Sequence, residues 1–327
     1  MASVSWRMSS LFAPGADKVL TIPPAANFLR ELAAALSGAE QARDDPGWLS
    51  EAIIYVPNQR SVRNLAQAFL NVASGRAMLL PNIRALGDLE TDEPPPSAEA
   101  ALADLPPVIS AAQRIGQLTR LVLAYYSAQG TDLPASGALS AAQELARLLD
   151  QAALSGEADL SRLNEIPVDR DLAAHWERSA SFLSIITQQW PARLDDAQAM
   201  DPYARRFAAA EALADHWRRA PPQAPVIIAG STGATPASRV LMDVARQLPN
   251  GLVLLPGLDQ DASGAMWERV LSTPSHPQFA MAQALRTLGL TRGDVGDWRA
   301  TSIKTRLAGV APVDPAIITG ACGGARR

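Results

Sequence analysis

Four short apolar runs along the chain have the pattern of strands that are buried on both faces of a sheet. Each run ends at or next to a proline or glycine, and the stretches after the first three have apolar positions at helical spacing. The runs are Lys18–Ile22, Ala52–Val56, Pro225–Ala229 and Leu252–Leu255. Because strands that alternate with helices form parallel sheets, the pattern predicts an α/β fold with a parallel sheet.

The middle of the chain has a different pattern, with long amphipathic stretches and no strand-like runs. The predicted helices there are Gln113–Tyr126, Ala138–Ala153, Asp171–Trp190 and Pro202–Trp217. Shorter helices are predicted after the strands, from Phe28 with Asn27 as N-cap, over Ser61–Leu70 and over Ala237–Leu248. We therefore expect a large helical subdomain inserted into a sheet that is interrupted near Leu86 and completed near Leu255.

These patterns divide the chain into six parts. They are an N-terminal extension at 1–17, the first half of the α/β core at 18–86, an acidic and proline-rich loop at 87–104, the helical insertion at 105–220, the second half of the core at 221–298 and a tail at 299–327. The loop contains acidic residues and three successive prolines, which predicts a mobile segment. The tail has no amphipathic stripe, so we expect it to be disordered.

Composition narrows the class of protein. The chain has 327 residues, 48% of them hydrophobic and 19% charged, which is typical of a folded protein with two domains or one domain with an insertion. The net charge of −4 argues against a uniformly basic nucleic-acid clamp but is compatible with a local basic patch. We expect no membrane span or signal peptide, and hence a cytoplasmic protein. The one cysteine, Cys322, excludes a cysteine-rich metal or iron-sulfur site built from this chain alone.

The turn after the first predicted strand lacks the features of a nucleotide-binding loop. Phosphate loops use glycine amides, a lysine and a hydroxyl, in the pattern G-x-x-x-x-G-K-[ST]. This turn is Pro23-Pro-Ala-Ala-Asn27, and its two prolines have no N–H to donate. The only lysines of the chain are Lys18 and Lys304. The sequence therefore predicts that ATP does not bind at this turn.

Two groups of residues are candidates for contact with a phosphate. One is the polar loop before the helix at Ala237, with Arg239 in its first turn; it could hold an anion at a helix N-terminus, or Thr235 could simply cap that helix with Pro236 in the first position. The other is the exposed pair Arg60 and Arg63, which could equally form an ordinary solvated face. The candidate contacts are Arg60, Arg63, Gly230, Ser231, Thr232, Gly233, Thr235 and Arg239.

Other arrangements give no catalytic, cofactor or metal residue. Asp259 ends a predicted strand, where a magnesium-binding carboxylate could lie, but Gln260 follows it, and the sequence favours Asp259 and Asp261 as caps of the next helix. The chain has no G-x-S-x-G elbow for a nucleophilic serine. Its three histidines, His175, His216 and His276, fit no metal-ligand spacing.

The order of several short motifs resembles the amino-terminal portion of the AddB subunit in its alphaproteobacterial form. The resemblance extends from about Val19 to Trp298. The motifs are Thr21-Ile-Pro-Pro24, Tyr55-Val-Pro-Asn-Gln-Arg60, Leu79-Leu-Pro-Asn-Ile-Arg-Ala-Leu-Gly-Asp88, Ala174-His-Trp-Glu177 with Gln189-Trp-Pro191, Ala229-Gly-Ser-Thr-Gly-Ala-Thr-Pro-Ala237, Val253-Leu-Leu-Pro-Gly-Leu-Asp259 and His276-Pro-Gln278.

The resemblance implies a fold and a function. The fold is a degenerate P-loop-helicase-like parallel sheet, of the superfamily 1 motor-domain type, with a large helical insertion. The implied function is that of an inactive motor module in the AddAB helicase-nuclease, which processes DNA double-strand breaks for recombinational repair. The implied partners are an AddA-type helicase-nuclease subunit and DNA.

The resemblance also implies features that lie outside this chain. The family continues into a second helicase-like domain and a nuclease with an iron-sulfur cluster and magnesium, so we expect a truncated chain that alone neither cuts nor unwinds DNA. No cofactor is assigned to the chain itself. The alternative is a small α/β nucleotide- or phosphate-binding transferase that uses the Gly230–Ser238 loop for a sugar nucleotide.

Overall fold

The centre of the fold is a sheet of six parallel strands in the order β3-β2-β4-β5-β1-β6. The computed structural model describes residues 12, 17–39, 45–89, 99–155 and 181–298. The predicted parallel α/β class is confirmed, and the four predicted strands are all present. The strands are β1 Val19–Ile22, β2 Ile53–Val56, β3 Asn82–Ala85, β4 Val226–Ala229, β5 Gly251–Pro256 and β6 Gly296–Asp297.

Helices cover both faces of this sheet, which is why its central strands are apolar without alternation. In β2, Ile54 and Val56 pack on one face, whereas Ile53 and Tyr55 pack on the other. The first face carries α1 Phe28–Ser37 and α3 Gln59–Ala73, with α2 Pro46–Glu51 between them in the chain. The second face carries α8 Pro202–Arg219, α9 Pro236–Gln247 and α11 Phe279–Thr287, with α10 Gly264–Ser272 preceding α11.

The structure corrects three expectations about the core. The helix α8, predicted as part of the insertion at 105–220, packs on the sheet instead. The sheet does not end near Leu255, because β6 pairs with the far side of β1. The segment predicted as a loop at 87–104 contains the short helix α4 Glu99–Leu102, and Leu89 and Leu102 are buried in the core. Strand β3 was not predicted, because it contains Arg84 and is only partly buried, so it lacks an apolar run. Residues 90–98 of the predicted loop, the N-terminal extension up to residue 11 and the tail from residue 299 lie outside the described residues.

The middle of the chain forms a helical subdomain with a hydrophobic core of its own. It contains α5 Ala111–Ala128, α6 Ala135–Ser155, helical residues 181–184, a π-helical turn at Ile185–Gln189 and α7 Trp190–Asp196. The π turn precedes Pro191, whose missing N–H interrupts the α-helical hydrogen-bond ladder. Of the predicted helix Asp171–Trp190, residues 171–180 lie outside the described part. No helix in the described residues is long and apolar enough to span a membrane.

The carboxyl ends of the parallel strands lie along one edge of the sheet. The chain leaves β1 and β2 towards the face with α1 and α3, and it leaves β4 and β5 towards the face with α9 and α11. Strand β2 lies beside β4, and β1 lies beside β5. In each pair, the loop after one strand therefore turns to one face of the sheet and the loop after its neighbour turns to the other face. Such a topological switch point is where open α/β sheets place their ligands.

Candidate phosphate-binding edge of the sheet

The turn after β1 is filled with side chains. Its backbone closes through the Ala26 N–H, which donates to the Pro23 carbonyl at 3.0 Å, and the Asn27 side chain caps α1 by accepting the Arg30 N–H at 3.2 Å. Gly257, after β5, lies so close to this turn that a Cβ there would be 3.2 Å from Cβ of Pro24. The predicted cap at Asn27 is confirmed. At the switch point, the turn therefore places the Pro24 ring, and not free N–H groups, next to the loop after β5.

Phe28 occupies the other side of the switch point. A Cβ placed on Gly230 would lie 3.4 Å from Cε1 of Phe28 and 3.8 Å from Cδ of Pro57. Gly230 has a φ of +74°, a backbone conformation that favours glycine, and its N–H donates to the Leu254 carbonyl at 2.9 Å. The space between the loops that follow β1, β2 and β4 is therefore occupied by an aromatic ring and a pyrrolidine ring.

Much of the hydrogen-bonding capacity of the Gly230 loop is used within the protein. The Gly233 N–H donates to Ser231 Oγ at 3.2 Å, and the Thr235 N–H donates to Ser238 Oγ at 3.2 Å. Among the described residues, the N–H groups of Ser231, Thr232 and Ala234 have no acceptor. The loop thus presents fewer amides to a phosphate than its glycine content suggests.

Contacts with α11 and α9 hold the loop in place. Gly233 has a φ of +68°, and a Cβ there would lie 2.4 Å from Cβ of Ala284. The half-buried Arg239 donates from Nη1 to the carbonyls of Gly233 at 3.1 Å and Ala234 at 3.4 Å. The guanidinium therefore stabilises the loop from within, and any contact with a phosphate has to share it with these two carbonyls.

The prediction that Thr235 caps the helix after the Gly230 loop is confirmed. Thr235 is the N-cap of α9, Pro236 is the first helical residue, and Thr235 and Ser238 form a reciprocal capping box. This cap satisfies the end of the helix without a ligand. Phosphate contact by Gly230, Ser231, Thr232, Gly233 and Thr235 stays a prediction.

The two arginines of α3 are free to meet a ligand. Arg60 and Arg63 are exposed, and neither has an ion-pair partner among the described residues. The helix begins after the N-cap Asn58 and has no acidic residue in its first turn. Because β2 and β4 are neighbours, the start of α3 and the Gly230 loop share the same edge of the sheet. The described geometry therefore brings these two predicted groups to one edge.

A groove with polar and apolar side chains lies between α1 and α3 next to this edge, and the sequence patterns did not predict it. Its volume is about 730 Å³. The carboxamides of Asn64, Gln67 and Asn71 recur at helical spacing along α3, and Arg30 faces them from α1. No carboxylate lines the groove among the described residues. The residues that line it are Asn27, Leu29, Arg30, Ala34, Asn64, Gln67, Ala68, Asn71, Val72 and Ser74.

The loop after β5 is held by internal hydrogen bonds. Asp259 Oδ1 accepts the N–H groups of Asp261 at 3.1 Å and Ala262 at 3.0 Å. The expectation that Asp259 and Asp261 cap the next helix is wrong, because Ser263 is the N-cap of α10 and Asp259 caps only the preceding turn. The side chain of Gln278 closes the loop by donating to the Gly257 carbonyl at 2.8 Å.

The histidines form no ligand set in the described part of the chain. His276 Nδ1 accepts the Gln278 N–H at 3.1 Å, His216 lies in α8, and His175 lies outside the described residues. No group of three or more histidine, cysteine, aspartate or glutamate side chains in the described part could hold a metal ion.

The fold and this edge define a doubly wound α/β protein, compatible with the Rossmann-like and P-loop-like classes. Comparison of the sequence with protein-family models and with curated proteins finds no match.

Proposed function

We propose that this protein is an inactive helicase-like module that contacts nucleic-acid phosphates at the carboxyl edge of its sheet. We further propose that it belongs to the AddB-type subunits, which act with an AddA-type helicase-nuclease in double-strand-break repair and recombination. The ordered motifs described above support this assignment, and the parallel α/β core with a helical subdomain inserted between β3 and β4 is compatible with it. The assignment to DNA repair depends on the motif resemblance.

The filled switch point is the observation that carries the inactive part of the proposal. A nucleotide-binding sheet needs free amides and open space after β1 for the β- and γ-phosphates. Here Pro24 packs against Gly257 and Phe28 packs against Gly230. Binding of ATP at this position would require both rings to leave their contacts, so the fold supports a module that does not hydrolyse nucleotides.

The charge distribution along the edge supports contact with a polyanion. Arg60 and Arg63 are exposed beside the N-terminus of α3, where the helix dipole also favours negative charge. Arginine suits phosphate because its planar guanidinium donates two parallel hydrogen bonds. A few such contacts give weak, salt-dependent binding that is indifferent to sequence.

The first prediction is that the protein does not bind ATP. Titration calorimetry with ATP and Mg²⁺ should show no saturable heat at micromolar to millimolar ligand, because the switch point is filled and its turn has no lysine. Titration with a sugar nucleotide serves as the parallel experiment. Saturable micromolar binding of ATP would contradict the inactive module, and binding of the sugar nucleotide alone would favour a transferase.

The second prediction concerns Arg60 and Arg63. Replacement of both by alanine should weaken binding to a fluorescent single-stranded oligonucleotide and reduce the slope of log affinity against log salt by up to about one unit per lost phosphate contact. The matched control is Arg120→Ala with Arg147→Ala, because these arginines are also exposed but lie on the helical subdomain. Fluorescence anisotropy at several salt concentrations measures both quantities. An equal loss in the control would contradict a specific role for the α3 pair.

A further inference from the structure

The helical subdomain and the sheet have separate hydrophobic cores in the described part of the chain. The subdomain core is formed by apolar residues of α5, α6, the π turn and α7, and it shares no residue with the two cores that flank the sheet. Packing between the described parts of the two units is chiefly between the helices α6 and α8. Two units with separate cores have the construction that permits rigid-body rotation.

The two chain segments that connect the units lie side by side. Val108, on the way into the subdomain, forms a parallel bridge with Met200, on the way out. The Met200 N–H donates to the Pro107 carbonyl at 2.9 Å, and the Ile109 N–H donates to the Met200 carbonyl at 3.0 Å. Because the two connecting segments lie side by side, a rotation of the subdomain about them changes the backbone angles of only a few residues.

A buried ion pair joins the units next to these two segments. Arg114 of α5 donates from Nε to Asp201 Oδ2 at 2.8 Å and from Nη2 to Asp201 Oδ1 at 3.2 Å, so the contact is bidentate. Trp190 Nε1 donates to the same carboxylate at 3.2 Å, and Arg114 also pairs with Asp150 of α6 at 2.8 Å. Asp201 thus receives donors from α5 and α7.

Asp201 makes this contact instead of capping its own helix. It occupies the N-cap position of α8 with an extended backbone, yet its side chain accepts no hydrogen bond from the helix. An aspartate at an N-cap ordinarily accepts an N–H of the first turn, which contributes about 1 kcal/mol. The carboxylate is instead directed at Arg114 and Trp190 of the subdomain.

The remainder of α8 belongs to the core of the sheet. Leu213 and Trp217 are fully buried under it, and Trp217 packs against Tyr55 of β2. One rigid helix therefore carries the carboxylate at one end and is anchored to the sheet at the other. Burial raises the pKa of the Asp201 carboxyl, and the nearby Arg114 guanidinium only partly offsets this. Burying the charge is therefore costly, and removal of either partner would leave an uncompensated buried charge.

We propose that the paired linkers, residues 106–109 and 199–201, form a hinge about which the helical subdomain rotates relative to the sheet, and that the Arg114–Asp201 ion pair holds the orientation seen here. The two separate cores, the adjacent connecting segments and the diverted N-cap carry this inference. It does not depend on nucleic-acid binding.

Distances between two spin labels in the full chain test the hinge. With Cys322 replaced by serine, Ser140→Cys on α6 and Gln67→Cys on α3 supply exposed labelling sites in the two units. Ser140 lies ten residues, or about 15 Å, along α6 from Asp150, which pairs with Arg114 beside the hinge, so a rotation of about 20° moves the label by about 5 Å. We expect Asp201→Asn to broaden or shift the distance distribution by about that amount, because the amide keeps the size of the side chain but not its charge.

Arg147→Met is the matched control for a second variant, Arg114→Met. Both remove an arginine from the subdomain, but within the described part of the chain Arg147 pairs only with the exposed Glu144 beside it on α6. Hydrogen exchange adds a second readout, since the N–H groups of Ile109 and Met200 should exchange faster in the Asp201 and Arg114 variants while those of β2 and β4 stay protected. Unchanged distances, or loss of protection throughout the sheet, would overturn the proposal.

Discussion

Alanine in place of Gly251 is expected to destabilise the protein by about 4 kcal/mol or more, a loss that few single substitutions reach. A Cβ at this position would lie 1.7 Å from the carbonyl oxygen of Ala245 and 2.9 Å from Cβ of Leu248. The oxygen belongs to the backbone of α9, so no side-chain rotation relieves the overlap. The start of β5 and the end of α9 would have to separate, which opens the core on that face of the sheet.

Gly116→Ala is the matched control for this prediction. Gly116 lies inside α5, and a Cβ there would meet nothing within 4 Å. Alanine favours a helix interior over glycine by about 1 kcal/mol, so this variant should be slightly more stable than the native protein. Urea unfolding followed by circular dichroism measures both free energies. Equal stability of the two variants would contradict the close approach of α9 and β5.

Trp217→Ala is expected to cost about 3 to 5 kcal/mol, the usual range for removal of a fully buried large aromatic side chain. Trp217 has no exposed surface and lies between α8 and the sheet, where its ring meets that of Tyr55 edge to face at 6.1 Å between centroids. Truncation leaves a cavity at the place where α8 is anchored to the sheet. The loss of stability therefore has three sources: the side chain no longer removes apolar surface from water, its van der Waals contacts are lost, and its aromatic contact with Tyr55 is lost.

Phe207→Ala on the same helix is the control for Trp217→Ala. Phe207 is 37% exposed, so its removal leaves no closed cavity and should cost about 1 kcal/mol or less. Thermal unfolding of both variants checks the difference, because about 1 kcal/mol shifts the melting temperature of a domain of this size by roughly 2 to 4 °C. Similar melting temperatures would show that α8 is not anchored through Trp217.

Hydrophobic periodicity predicted the strands that lie inside the sheet and failed at its two edges. Ile53–Val56 and Val226–Ala229 are covered on both faces, so their sequences are apolar throughout. Among the described strands, β3 has only one neighbour and tolerates Arg84, and β6 consists of Gly296 and Asp297 alone. The local sequence of an edge strand contains little information, because its place depends on the register of the neighbouring strand.

The candidate site divides in the same way. The sequence itself shows that no glycine or lysine follows β1. It also predicted the cap at Thr235 and the position of Arg60 and Arg63 at the start of a helix, because each depends on neighbours a few residues away. The groove along Asn64, Gln67 and Asn71 was not predicted. It exists only because α1 and α3 pack side by side on one face of the sheet.

The sequence by itself determined the class of fold, the separation of helical and α/β segments and the lack of a phosphate loop, since these follow from local composition and periodicity. Only the tertiary structure decided that Phe28 packs on Gly230, that Arg239 stabilises its own loop and that Asp201 pairs with Arg114 rather than with its helix. Arg114 and Asp201 are 87 residues apart in the chain. Contacts across such distances depend on how layers pack, and no local pattern of residues encodes them.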